Sequence, residues 1–171
     1  MEKRVFVIAI DGRTASGKTT LAETLSEWLG AAVIHMDDFF LPQEMRTEER
    51  LAEAGGNVHY ERFAEEVLPH LATKEGFEYS VYDCHEGKIT GKRTIPESNI
   101  RIVEGSYSIH PYFGEYADVK IFCDIDPENQ IERIIKRNGE EMSRKFQEVW
   151  IPLEEAYFKT LDLEDYQVVT L

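Results

Sequence analysis

Eight consecutive residues, Gly12-Arg13-Thr14-Ala15-Ser16-Gly17-Lys18-Thr19, carry the plainest chemistry in this chain. Gly-x4-Gly-Lys-Thr is the spacing of a loop whose backbone N–H groups curl around a phosphate chain. Its glycines permit the curl, Lys18 reaches the terminal phosphates, and Thr19 offers a hydroxyl to magnesium. Thr20 follows in the first turn of the next helix and is counted with the loop. Residues 12–20 are therefore expected to hold ATP and Mg2+, with Lys18 also serving the transfer step. The loop alone does not separate ATP from GTP, and it serves switches and motors as well as kinases.

Acids stand where an acceptor would meet that loop. Ligands of open α/β sheets bind beyond the carboxyl ends of strands. Met36-Asp37-Asp38-Phe39-Phe40-Leu41-Pro42 and Glu104-Gly105-Ser106-Tyr107 each follow an apolar, β-prone run. In phosphoryl transfer to an alcohol, one carboxylate accepts the hydroxyl proton and another helps hold magnesium. Asp37 and Glu104 are the candidates, with Phe40 beside Asp37 on the acceptor side. A turn cap at Asp37 or Asp38 and a surface acid at Glu104 are the plainer alternatives. Arg133, Lys136 and Arg137, followed by Asn138-Gly139 and then Arg144 and Lys145, suggest a cationic lid over 133–145. A solvated helix face is its plainer counterpart, since Arg133 and Arg137 stand four residues apart.

These residues need a frame. Five runs, Arg4 to Ile10, Ala32 to His35, Ile100 to Val103, Val119 to Cys123 and Tyr166 to Thr170, are apolar on both parities, as buried parallel strands are. Helical spacing marks Lys18 to Leu29, with Gly30 as its stop. It also marks Tyr60 to Ala72, Glu128 to Arg137 and Glu140 to Phe158, the last kinked or broken by Pro152. Residues 79–95, with a Glu86-Gly87 turn signal, form a hairpin or irregular excursion suited to substrate contact. The alternation predicts one domain over 1–171, a doubly wound α/β fold with a five-stranded parallel sheet between helices.

Composition narrows the partners. A net charge of −14 opposes nucleic acid and anionic membranes, while small anions remain accessible to a local array of N–H groups. No run of eighteen apolar residues suggests a membrane span. The start, Met1 to Ile10, lacks the pattern of a secretory signal. Cys84 and Cys123 have no neighbouring thiol, so neither a disulfide framework nor a cysteine zinc site is indicated, and a reducing cytoplasm is the expected compartment. A homo-oligomer is compatible with the sequence, which does not determine it.

Taken together, the chain resembles the uridine kinase-like family of P-loop nucleoside kinases. The likeness rests on Asp11-Gly12 with the phosphate loop, Asp37-Asp38-Phe39-Phe40, Tyr82-Asp83, Val103-Glu104-Gly105, and Asp124-x-Asp126 before an arginine-bearing helix. Asn57 to Phe63 and the Trp150 to Glu154 segment align it with short bacterial members. The resemblance implies a fold of the P-loop NTPase class and transfer of the γ-phosphoryl group of ATP to a nucleoside hydroxyl, uridine or cytidine foremost. It further implies Asp37 as base, Glu104 as organiser of magnesium, Tyr82 near the nucleobase and Arg137 in the lid. His85 and Arg133 are further substrate-side candidates. Where the family commonly has an acid for sugar hydroxyls, this chain has His59, which cannot accept two hydrogen bonds as a carboxylate does. Pantothenate, nicotinamide riboside and sugar phosphates are alternative acceptors, and a nucleotide-binding regulatory protein is the reading from outside catalysis.

Overall fold

The computed structural model describes residues 4–171; the reading of Met1 to Lys3 lies outside the described residues. β1 (Phe6–Gly12), β2 (Ala32–His35), β5 (Ile100–Glu104), β6 (Val119–Asp124) and β7 (Gln167–Thr170) form one sheet in the order β2-β5-β1-β6-β7. Every neighbouring pair is parallel. The doubly wound α/β sheet is as expected, and all five expected strands lie within about two residues of their predicted limits. β1 starts later and runs further than the sequence suggests, carrying Asp11 and Gly12 into the sheet.

Strand alternation divides the core in two. Ile8, Ile10, Ile102 and Cys123 face Ala22, Leu21 and Leu25 of α1 (Lys18–Leu29). Val5, Val7, Ile34 and Val103 face the opposite way, toward Phe39, Phe63, Tyr79, Tyr157 and Phe158. Because successive side chains of a strand point to opposite faces, apolar residues at both parities need cover on both sides.

Between β2 and β5 the chain leaves the sheet. Two 3-10 turns, over Met36–Phe39 and Gln43–Met45, are followed by α2 (Glu48–Ala52), α3 (Tyr60–Glu66) and α4 (Leu68–Leu71). The one helix expected over Tyr60 to Ala72 is thus two, divided at Val67, because Pro69 fits only a helix's first turn. β3 (Phe77–Asp83) and β4 (Lys88–Ile95) form an antiparallel hairpin turning through Gly87, φ 68°. This resolves the excursion at 79–95 as regular structure.

After β6 come α5 (Pro127–Asn138), capped by Asp126, α6 (Glu140–Lys145) and α7 (Ile151–Phe158). A π-helical turn over Phe146–Trp150 joins α6 to α7. Pro152, expected to kink or break this segment, sits in the first turn of α7 directly behind the π-turn, where its missing N–H costs one widened turn and not the helix. No helix among the described residues is long and apolar enough to cross a membrane.

Candidate functional site

At the carboxyl ends of β1, β2 and β5 lies a cleft of about 700 Å³, lined by residues 14–20 of the phosphate loop together with Asp37, Phe40, Arg46, Glu104 and Trp150. Gly12 opens the loop with φ 134°, and a Cβ there would stand 2.1 Å from the Cys123 carbonyl oxygen of β6. Only glycine lets the loop leave the sheet this close to its neighbour. Ala15 holds φ 62° and Gly17 φ 93°, and Ser16 N–H donates to Arg13 O at 3.2 Å. Lys18, buried, donates from Nζ to the carbonyls of Gly12 at 2.9 Å and Arg13 at 2.6 Å. The loop thus curls around its own lysine.

Asp11 anchors the loop from below. Fully buried, it accepts from Gly12 N–H at 2.7 Å, Tyr107 N–H at 3.1 Å, Ile109 N–H at 3.0 Å and Tyr157 O–H at 2.6 Å. Burial raises its pKa, and the bonds from Tyr157, Ile109 and Gly12, with the charge of Lys18, oppose the rise.

Thr19 Oγ1 donates to Glu104 Oε2 at 3.2 Å, while Glu104 Oε1 lies 2.6 Å from His35 Nδ1. The Glu104 contact raises the pKa of His35 against the opposing effect of burial. Gly105, φ 126°, packs where a Cβ would meet Met36 Cβ at 2.9 Å, bringing β5's end against the turn that carries Asp37.

The two neighbouring aspartates part company. Asp37 opens into the cleft with solvent access, although protein walls it on most sides. That desolvation first, and the charge of Glu104 second, raise its pKa, while Lys18 pulls it down. Asp38 turns inward, accepting from Tyr79 O–H at 2.8 Å and from Arg93 at 2.7 Å, and so pins the hairpin to the sheet. Burial pushes the Tyr79 hydroxyl well above its ordinary value.

Phe40, His85, Arg133 and Arg137 also line the cleft. Arg133 is committed to the nucleotide end, donating to Ala15 O at 3.2 Å and Leu171 O at 2.8 Å, not to the acceptor end where the sequence suggested it. Arg137 lies 5.9 Å from the centre of the Phe146 ring. The Arg13 side chain points away from the loop's interior, pairing with Asp124 at 2.7 Å and with Glu155, so only its backbone belongs to the phosphate curl.

Two expected acceptor residues stand outside the lining. His59 caps α3, its Nδ1 accepting from Arg62 N–H at 3.3 Å and facing Glu61 Oε2 at 3.2 Å. Tyr82 is buried in the hairpin: register slips between Val81 and Tyr82, and beyond the slip the buried face changes parity.

The lining also includes Lys145, expected in the lid, and Arg46, Asn57, Cys84, Ser106, Tyr107, Trp150 and Glu154, to none of which the sequence reading gave a role in the site. Trp150 and Glu154 stood in a recognised segment, but nothing in it marked which residue meets the loop. Arg46 and Lys145 each approach the Trp150 ring at 5.9 Å. His35 carried no sequence signal.

The residues fit Mg2+ and a polyphosphate. Ser16 Oγ is buried in the loop without a protein partner, Lys18 supplies the cation, and Thr19 with Glu104 supplies hard oxygen donors. Among the described residues, no group of three or more His, Cys, Asp or Glu could by itself hold a metal. Magnesium that keeps its waters and phosphate ligands needs no such cage.

A sequence model of the phosphoribulokinase/uridine kinase family matches residues 7–157. A uridine kinase of Alkaliphilus metalliredigens is 31% identical over 84% of this chain and 73% of its own length. The chloroplastic uridine/cytidine kinase UKL1 of Arabidopsis thaliana is 30% identical over 83% of this chain, which spans 31% of that relative's length. Among solved structures, a possible uridine kinase from Bacillus stearothermophilus superposes with a TM-score of 0.69 at 24% identity, covering 100% of this chain and 91% of that one. A putative fructose transport system kinase from Silicibacter sp. TM1040 gives 0.73 at 20% identity, covering 99% and 89%. These two likenesses show the fold.

Proposed function

The chain belongs to the phosphoribulokinase/uridine kinase family, and from that premise we propose that it transfers the γ-phosphoryl group of ATP, with Mg2+, to a hydroxyl of a nucleoside, uridine or cytidine. The observation that carries this reading is Asp37: a carboxylate of raised proton affinity opening into the same cleft as Lys18, Thr19 and Glu104. A base works best when its pKa approaches the working pH, and the enclosing walls of the cleft together with the neighbouring Glu104 move Asp37 that way.

Bound magnesium would neutralise charge on the phosphates and align them, with Thr19 and Glu104 as its protein-side donors. Lys18 binds the terminal phosphates, exchanging its two loop carbonyls for phosphate oxygens. Asp37 Oδ orients the acceptor hydroxyl and takes its proton as the new O–P bond forms. Arg137, on the lid side of the cleft, offsets charge on the transferred group. Phe40 and Trp150 offer apolar faces to the acceptor, and His85 offers a ring nitrogen at the cleft's edge.

A second reading within the same chemistry is favoured by one observation. His59 is turned to its own helix cap, so no group at that position reads a sugar diol. Another small alcohol, such as pantothenate, nicotinamide riboside or a sugar phosphate, then becomes the acceptor.

The test is ADP release with Mg·ATP across nucleosides and these alternative alcohols. Saturable stimulation by uridine or cytidine is the expected result. Stimulation by another alcohol alone selects the second reading, and stimulation by none of them removes both. Lys18→Ala should abolish nucleotide binding, measured by calorimetry.

A further inference from the structure

α7 grips the phosphate loop at three points: Glu154 at Thr14, Glu155 at Arg13 and Tyr157 at Asp11. The first is unlike the others. Glu154 is 4% exposed, and its Oε2 accepts from Thr14 N–H at 3.0 Å while Oε1 accepts from Thr14 Oγ1 at 2.5 Å. Ser106 Oγ stands 2.8 Å from the same Oε1 and 3.0 Å from Gly12 O, so its single proton is shared between the two acceptors. Among the described residues, no lysine, arginine or histidine forms a salt bridge with Glu154 within 4.0 Å. Its partners are dipoles alone.

A carboxylate lining a polyphosphate cleft repels what the cleft binds. Its presence there calls for a structural return, and the neighbouring backbone supplies one. Ala15 holds a left-handed φ of 62°, a conformation that non-glycine residues keep only where the surroundings dictate it. The residues flanking that strained peptide are tied on every side: Thr14 N–H and hydroxyl by Glu154, Thr14 O by Gln130 Nε2 at 3.0 Å, and Ala15 O by Arg133 at 3.2 Å.

We propose that Glu154 is a positioning residue for the nucleotide: it clamps Thr14 and thereby holds the phosphate loop in its receiving curl, while its charge keeps nucleotide affinity below what an uncharged clamp of the same shape would give. The inference rests on nucleotide binding at this loop. It does not depend on which alcohol is the acceptor.

Two variants of the full chain separate shape from charge. Glu154→Gln and Glu154→Ala both remove the charge, but the amide of Gln can still accept from Thr14 N–H and hydrogen-bond to the two hydroxyls. Calorimetric titration with Mg·ADP, thermal melting without nucleotide and the KM of the acceptor are measured for each. E154Q should bind Mg·ADP about three- to tenfold more tightly than the unaltered chain, since a like charge is gone. E154A should bind about tenfold more weakly than E154Q, the equivalent of one or two lost hydrogen bonds, with an acceptor KM matching that of E154Q. Equal affinities in E154Q and E154A overturn the clamp, and an E154Q no tighter than the unaltered chain overturns the role of charge. Parallel losses in melting temperature, nucleotide affinity and acceptor KM in E154A overturn positioning in favour of plain structural support. Absence of Mg·ADP binding by the unaltered chain removes the nucleotide reading itself, and this inference with it.

Discussion

Asp37 and Asp38 are adjacent and chemically identical, yet they divide site from scaffold. The 3-10 turn over Met36–Phe39 sends one carboxylate to the cleft and the other to Tyr79 and Arg93. Asp37→Asn should not weaken Mg·ATP binding and should lower kcat by about a hundredfold or more, the range of a lost general base. Equal loss of nucleotide affinity would deny that division. The sign of its pH dependence follows from its raised pKa. A base must be ionised to act, so activity is lost as pH falls through the folded value, which lies above the ordinary 3.8. A kcat/KM profile with its acid limb above the ordinary aspartate value is expected, and a limb at that value would contradict it. The same shift makes ionised Asp37 a burden on the fold above that pKa. Asp37→Asn should therefore melt no lower than the unaltered chain at neutral pH.

At the scale of elements, the hairpin β3–β4 packs Phe77, Tyr79 and Ile95 into the core on one face of the sheet and is tied there by a few polar contacts. Tyr79 O–H reaches Asp38 and lies 3.2 Å from His35 N–H, and Arg93 reaches the same Asp38. Arg93→Ala leaves a buried carboxylate with one protein donor and should cost about 1–3 kcal/mol, read by urea unfolding. Hydrogen exchange should quicken over residues 77–95 before it does in the central strands. Uniform exchange across the molecule would show that the hairpin does not open separately. α6, the π-turn and α7 form another unit. The π-turn at Phe146–Trp150 advances the helix face so that Trp150 lines the cleft while Glu154, Glu155 and Tyr157 meet the loop. One segment thus touches both the lid side and the phosphate side.

Across the whole molecule, Asp11 is where the tie points converge. It joins the end of β1, the loop after β5 and α7 through four hydrogen bonds to one buried carboxylate. Tyr157→Phe removes one of these and should cost about 1.5–3 kcal/mol, the range for a bond to a charged group. Denaturant titration measures it, and a loss under 0.5 kcal/mol would mean the remaining donors suffice. The net charge of −14 acts on the same scale. Self-repulsion destabilises the compact state and salt screens it, so the melting temperature should rise as sodium chloride increases from 10 to 200 mM.

Much of this was legible in the chain itself. The phosphate loop, the five strands and α1 follow from spacing and periodicity because they are local: a glycine's φ, a strand's alternation and a helix's repeat are properties of neighbouring residues. Asp37 and Glu104 were legible for a related reason, since each directly follows a strand and strand ends point to the crevice. What the sequence could not supply were choices between similar groups made by distant partners. Asp38 was assigned inward by Arg93, 55 residues on, and Glu154 was brought to Thr14 across 140 residues. The cap at Arg62 N–H and the contact with Glu61 keep His59 at the start of α3 and out of the cleft, and a slip in strand register buried Tyr82. Sequence determines which groups are present and how each segment prefers to run; only packing decides which of two equivalent carboxylates is desolvated, paired or left facing the cleft, because those energies depend on neighbours that the chain brings together only when folded.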